Sequence, residues 1–250
     1  MGLDRSTLQK PNVQANLSAT KSKDIFVKVD ENATMRVRFL PTNHPEGILT
    51  YTTVSHFKLK EETEDGGSKG MALACLEEHG AEGHTDCYIC DLIKGLDRSG
   101  DKTHKKIAKA MKPSIRYNYQ VLVAEKQNDG TWKYGKPKIL GLPKTAHEDL
   151  AQLLANMEMM GQPDYTDIEK GQDILISRSG TGVNTKYRVD RTGEQVSLDE
   201  VYPGWDNDFI EDMWGALNLR VFTREQQKSA AQFTYADEID WEQMQDEFGL

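Results

Sequence analysis

Ile115-Arg116-Tyr117-Asn118-Tyr119-Gln120-Val121-Leu122-Val123-Ala124 is followed, beyond Asn128-Asp129-Gly130, by Thr131-Trp132-Lys133-Tyr134-Gly135-Lys136-Pro137-Lys138-Ile139-Leu140. β-Branched and aromatic residues crowd both halves, and such side chains fit a pleated surface. Asn or Asp followed by Gly supplies the positive φ of a tight hairpin turn. Two strands joined by a turn are therefore expected, and they set the class as mainly β.

The flanks agree. Residues 33–40 alternate, with Met35, Val37 and Phe39 pointing one way and Arg36 and Arg38 the other, as in a half-buried strand. A strand is expected over 48–60, and two more over 173–178 and 184–189 around Ser179-Gly180-Thr181-Gly182. Helices are expected over 102–112, ending before Pro113, and over 206–217. A third, over 144–160, carries a stripe of Leu150, Leu153, Leu154, Met157 and Met160 that reads as core packing and stops at Gly161. Strands and helices do not alternate as a parallel sheet requires. A small Greek-key barrel with helical insertions is the expected architecture.

The net charge of −9 speaks against a polyanion partner until its distribution is followed. Residues 102–138 hold ten Lys or Arg against two acids, a local +8. Residues 229–250 hold six acids and no Lys or Arg. A basic middle and an acidic end call for separate explanations. Residues 1–24 are polar and mildly basic, without apolar periodicity, and predict a flexible arm. Residues 223–250 predict a disordered acidic tail. No apolar run approaches bilayer-spanning length and no signal-peptide pattern opens the chain, so a cytosolic protein without membrane partners is expected.

Three cysteines are too few and too uneven for a disulfide framework. Cys87 and Cys90 stand at CxxC spacing, and Cys75 lies twelve positions before Cys87. Zinc takes four N or S ligands in a tetrahedron, so these cysteines and one histidine would close a structural site. His56, His79 and His84 are the candidates, and local spacing favours His79 or His84. Each also has a plain reading, as a loop or half-buried strand residue. A redox CxxC would want a thioredoxin-like strand–helix–strand setting, which is missing.

Unpaired nucleic acid is held by cations along the phosphates and flat rings against the bases. The central strands interleave both: Lys112, Arg116, Tyr117, Tyr119, Trp132, Tyr134, Lys136 and Lys138. Trp132 and Tyr134 are expected to share a face with Lys136 and Lys138, and Tyr117 to share one with Tyr119 opposite Arg116. The later hairpin adds Arg178, Lys186, Tyr187 and Arg188, and the earlier strands add Arg36, Arg38 and Lys58. The plain alternative is that Tyr and Trp are strand formers and Lys their solvated neighbour.

The order of these features resembles the single-stranded-DNA-binding, helix-destabilising proteins of T-even-like and related tailed phages. It runs from a strand with His56-Phe57 through Cys75, Cys87 and Cys90, the basic strand pair, a Leu-rich helix and a last hairpin to an acidic end. Tyr134-Gly135-Lys136-Pro137 adds to the likeness, which extends over residues 10–250. The resemblance implies an OB-fold core over 25–222, a five-stranded Greek-key barrel, with a zinc subdomain at about 56–95. It implies one structural Zn2+ on Cys75, Cys87, Cys90 and His56. Eighteen residues separate His56 from Cys75, more than in the best-known members. It further implies self-association along DNA through the arm, of which Leu17-Ser18-Ala19-Thr20-Lys21 is a faint echo. The acidic end would recruit phage replication and recombination proteins, through Asp237, Glu238, Asp240, Trp241, Asp246, Glu247 and Phe248. A non-enzymatic role in DNA replication, recombination and repair, in the host cytoplasm, follows from the same likeness.

Two rivals are set against it. A zinc deaminase would need His-x-Glu before Pro-Cys-x-x-Cys, but Asp86 precedes Cys87 and Glu77-Glu78-His79 runs in the wrong order. A zinc-containing protein-interaction or transcription accessory module would have no use for the basic strands.

Overall fold

The computed structural model describes residues 25–41, 49–79 and 86–250. The expected N-terminal arm and His84 lie outside them. The strands are β1 (Phe26–Val27), β2 (Ala33–Phe39), β3 (Tyr51–Glu62), β4 (Ser68–Ala74), β5 (Ser114–Lys126), β6 (Trp132–Tyr134), β7 (Lys138–Leu142), β8 (Gln172–Ser179) and β9 (Lys186–Gln195). The helices are α1 (Leu76–His79), α2 (Tyr88–Arg98), α3 (Lys102–Met111), α4 (Lys144–Met159), α5 (Leu198–Val201), α6 (Met213–Leu217), α7 (Arg224–Thr234) and α8 (Trp241–Phe248). The chain is thus mainly β with several helices, with more strands than the five of the expected barrel. None of the described helices is long and apolar enough to cross a membrane.

Two compact units form. One takes residues 116–216 and the described part of 16–52. Its strands run in the order β1-β7-β5-β2-β8-β9, with β6 also on β5. The expected turn is present: Gln127 N donates to Thr131 O at 2.8 Å, and Gly130 takes φ +87°. On one face Val37, Phe39, Tyr119, Val121, Leu140, Ile174 and Ile176 are buried with Leu150 and Met157 of α4. Leu153 and Leu154 pack at the margin of this core, and the stripe ends there: Met160 is exposed.

The return strand departs from the expected alternation. Ala124 pairs with Tyr134, but Val121 pairs with Lys138, so three steps along β5 face four along the partner. One extra residue over Gly135-Lys136-Pro137 shifts the register, and such a shift sends later side chains to the opposite face. Trp132 and Tyr134 therefore do not share a face with Lys138. The helix expected over 206–217 is also broken, into a 3-10 turn at Trp205–Asp208 and α6.

The other unit holds the described residues of 53–115 and all of 217–250. Its β3–β4 hairpin is antiparallel, with a register break between His56 and Leu59 where Lys58 takes φ +65°. Tyr88, Ile89, Leu92, Ile93 and Leu96 line the buried side of α2. In α3, Asp101 caps the helix by accepting from the amides of Thr103 and His104. Pro113 forces Lys112 to extended backbone and stops it.

The expected disordered tail is corrected here. α7 opens with a capping box between Thr223 and Gln226, and Asp240 caps α8. Ala230, Ala231, Tyr235, Ile239, Met244 and Leu250 join the buried cluster that contains the three cysteines. The acids are exposed on α7, on α8 and on the segment between them, while the inner side of the helices is apolar, so overall polarity conceals an amphipathic pattern.

Candidate metal centre and nucleic-acid face

His56 sits on β3, Cys75 just after β4, Cys87 at the N-cap of α2 and Cys90 in its first turn. The β3–β4 pairing sets Ser55 opposite Ala74 and His56 opposite Leu73, and the Cys75 amide donates to the Val54 carbonyl at 2.9 Å, so Cys75 lies two positions along the hairpin from the histidine. All four residues are buried, and their ligand atoms lie within 4.8 Å of one another.

The individual distances test whether this group fits a metal. Cys75 Sγ is 3.6 Å from Cys90 Sγ, and His56 Nε2 is 3.4 Å from Cys87 Sγ and 3.6 Å from Cys90 Sγ. A disulfide needs about 2.05 Å, and the cysteines are free thiols. Sulfurs bound at about 2.3 Å around one tetrahedral ion stand about 3.8 Å apart. These three separations therefore match edges of a coordination tetrahedron, and no pair of the four donors is more than 4.8 Å apart. The set of three sulfurs and one imidazole suits zinc among the common ions, since hard cations such as calcium take oxygen ligands.

The surroundings hold these donors in place. His56 Nδ1 faces the Met111 carbonyl at 2.9 Å. With the proton on Nδ1, the Nε2 lone pair faces the sulfurs, the arrangement usual for metal-bound histidine. Burial opposes charge on His56, but hydrogen bonds to Cys75, Cys87 and Met111 prevail and push its pKa up to about 10. Hydrogen bonds from Cys75 and Cys90 drive Cys87 far below the ordinary thiol value, while Cys75 and Cys87 push Cys90 up. The sulfurs thus compete over charge at close range, and Cys75, Cys87, Cys90 and His56 would give up their protons to hold a divalent cation, which would relieve that competition.

His79 is also buried but does another job. Its Nε2 accepts from the Val54 amide at 2.8 Å, and burial lowers its pKa, which keeps the ring neutral. It is not in the four-residue cluster. Gln227, on α7, was not singled out from sequence. It is wholly buried, and its side chain touches the segments on both sides of the cluster.

Strand register sorts the residues expected to contact nucleic acid. Arg36 stands beside Ala124 and Leu175, Ala124 beside Tyr134, and Ser177 beside Arg188. Opposed residues share a face, so Arg36, Trp132, Tyr134, Lys186 and Arg188 point to one side of the sheet. The Arg36 guanidinium lies 4.5 Å from the centre of the Trp132 ring, and Trp132 is 39% exposed. Arg36 Nε also donates to Asp173 Oδ2 at 2.5 Å, and the Tyr134 hydroxyl donates to the same oxygen. Burial, then this bond to the carboxylate, raises the Tyr134 phenol. Asp173 is the organising residue of this face, and sequence reasoning passed over it as one more strand position.

Other members of the expected set lie elsewhere. Arg38 is 1% exposed, its Nη2 bonded to the carbonyls of Asp167 and Val196, so it is withdrawn as a contact. Tyr119, 2% exposed, packs in the core with its hydroxyl against His147 Nδ1. Tyr117 stacks on the His147 ring at 3.7 Å. Tyr187 packs at the margin of the same core, and Arg178 is tied to the Val29 carbonyl and Glu31. Lys138 is half-buried on the core side of the register shift. Arg116 is exposed, and exposed Lys136 pairs with Asp208 at 3.5 Å. Lys58 and Lys112 are exposed in the cysteine-bearing unit, where Lys112 pairs with Asp97 at 3.8 Å. Of the residues expected to meet partners, Asp237, Glu238, Asp246 and Glu247 are exposed, Asp240 caps α8, and Trp241 and Phe248 pack against the core.

A family model described as gp32 DNA binding protein like matches residues 31–236. No curated protein matches the sequence.

Proposed function

Because the chain belongs to the gp32-like DNA-binding protein family, we propose that it coats single-stranded DNA with little sequence preference during phage DNA replication, recombination and repair. The family match carries this reading, since it spans the cysteine–histidine cluster and every candidate DNA contact. The face with Arg36, Trp132, Tyr134, Lys186 and Arg188 supports it, because cations and an exposed ring together suit an unpaired strand.

On this reading residues 25–222 contain an OB-fold core, and the protein works in the host cytoplasm by binding rather than catalysis. Preference for the unpaired form melts duplex by mass action. His56, Cys75, Cys87 and Cys90 would hold one zinc ion, which would supply folding energy by cross-linking β3, β4 and α2. The exposed acids of 237–247 are the proposed surface for replication and recombination proteins, and the N-terminal arm the proposed contact between neighbours on DNA.

Titration with oligothymidine while following Trp and Tyr fluorescence tests the reading. Strong quenching by single strands, weak response to duplex and a steep loss of affinity with salt are expected. No response to single strands would overturn it and favour a protein-interaction role.

A further inference from the structure

Gln227 belongs to α7, far along the chain from the cysteines, yet it is completely buried among them. Its Oε1 accepts from the Tyr88 amide at 2.9 Å and lies 3.5 Å from Cys87 Sγ. Its Nε2 donates to the Ala74 carbonyl at 3.4 Å. The amide orientation is settled by its partners, since a backbone N–H only donates and a carbonyl only accepts. One side chain thus bridges the residue before Cys75 and the residue after Cys87.

A metal ion held by the cluster would join the same two segments from the other side. Each clamp fixes the separation that the other needs, so each lowers the ordering cost of the other. α7 and α8 are bound to this region by more than the glutamine. Arg224 pairs with Asp91 of α2 at 2.8 Å. A Cβ on Gly95 of α2 would meet Leu250 Cδ1 at 2.8 Å and Met244 Cε at 3.1 Å, so the C-terminal end lies directly on the helix that carries Cys90.

We infer that Gln227 is a positioning residue for the metal centre, and that metal occupancy and docking of the C-terminal helices are one coupled equilibrium. The inference rests on the metal reading above. Loss of the ion loosens α7 and α8, and whatever draws those helices away loosens the ion. Coupling of this kind is reciprocal.

Full-length protein loaded with zinc is mixed with a chromogenic chelator, and the rate of zinc transfer is read. Gln227→Met keeps the volume and removes the hydrogen bonds. It should lose zinc about tenfold faster, the effect typical of an outer partner of a metal ligand. Gln245→Ala, at an exposed position of α8, should match the parent protein. With cobalt in place of zinc, Gln227→Met should also shift the ligand-field bands, which a general loss of stability would leave in place. Hydrogen exchange on the parent protein gives the reciprocal arm and needs no variant: amides of 224–248 should exchange faster without zinc. Transfer rates equal in Gln227→Met and parent, or exchange in 224–248 indifferent to zinc, would overturn the coupling while leaving the metal reading intact. A parent protein that takes up no zinc would sink both.

Discussion

The Nδ1 of His56 and the carbonyl oxygen of Met111 are 2.9 Å apart, and this contact turns the other ring nitrogen towards three sulfurs. Met111 ends α3, so the basic helix sets the imidazole of a strand that precedes it by some fifty residues. The fourth member of the cluster is thereby set by tertiary structure and not by spacing to the cysteines.

His56→Ala should leave a protein that binds zinc weakly or not at all. His79→Ala should keep one zinc per chain and instead lose stability, by about 1–3 kcal/mol, because the Val54 amide is left buried without that acceptor. Metal analysis together with urea unfolding separates the two. Zinc retained in His56→Ala and lost in His79→Ala would reverse the assignment.

Asp173→Ala should destabilise the fold by about 1–3 kcal/mol, since it leaves the half-buried Arg36 guanidinium with only exposed Glu194, at 3.4 Å, as counter-ion. It also frees the Tyr134 hydroxyl. The fluorescence of Trp132 should change with it, as Arg36 is no longer held over the ring. Chemical denaturation with a tryptophan readout checks both, and a variant as stable as the parent would contradict the ion pair's role.

Trp132→Ala should weaken oligothymidine binding by about 1–3 kcal/mol, the usual worth of one stacked base. Tyr119→Phe should leave affinity unchanged, because that ring is in the core. The double variant Lys186→Ala/Arg188→Ala should lower the slope of log affinity against log salt by about 1.4. Equal losses at Trp132 and Tyr119 would argue against a contact face defined by register.

Truncation after Lys228 removes Tyr235, Ile239, Met244 and Leu250 from the core, and each large apolar side chain contributes about 1.5–3 kcal/mol. The melting temperature should fall by something on the order of 10 °C. The effect of acidic charge on DNA affinity is better measured with Asp246→Asn/Glu247→Gln, which spares the apolar contacts. An unchanged melting curve in the truncated chain would mean that α7 and α8 do not stabilise the cysteine-bearing unit.

Strands with a clear alternation or a marked turn were legible from the residues alone. β2, β5 and the Asn128–Gly130 turn fall where propensity and turn chemistry put them, and α3 stops where Pro113 demands. α2 carries an apolar stripe, Ile89, Leu92, Ile93 and Leu96, that begins inside the CxxC and runs on beyond Cys90, so ligand spacing and helical period overlap there. The C-terminal helices were hidden by their own acids. Arg38 reads as a solvent-facing partner of Val37 and Phe39, but it is covered by the segments at Asp167 and Val196, which no local pattern could announce. The three cysteines were readable as a candidate ligand set, and they do come together. Their histidine needed a family likeness, and Gln227 carries no local signal at all.

The extra residue at Gly135-Lys136-Pro137 behaves like a reading frame for geometry. Upstream of it, Trp132 and Tyr134 take one side of the sheet; downstream, Leu140 and Leu142 take the other and fill the core. A substitution there changes one side chain. Deleting a single residue would put the two halves in conflict, and either the wet ring or the dry leucines would have to change sides. Length, more than identity, is what this short segment has to conserve.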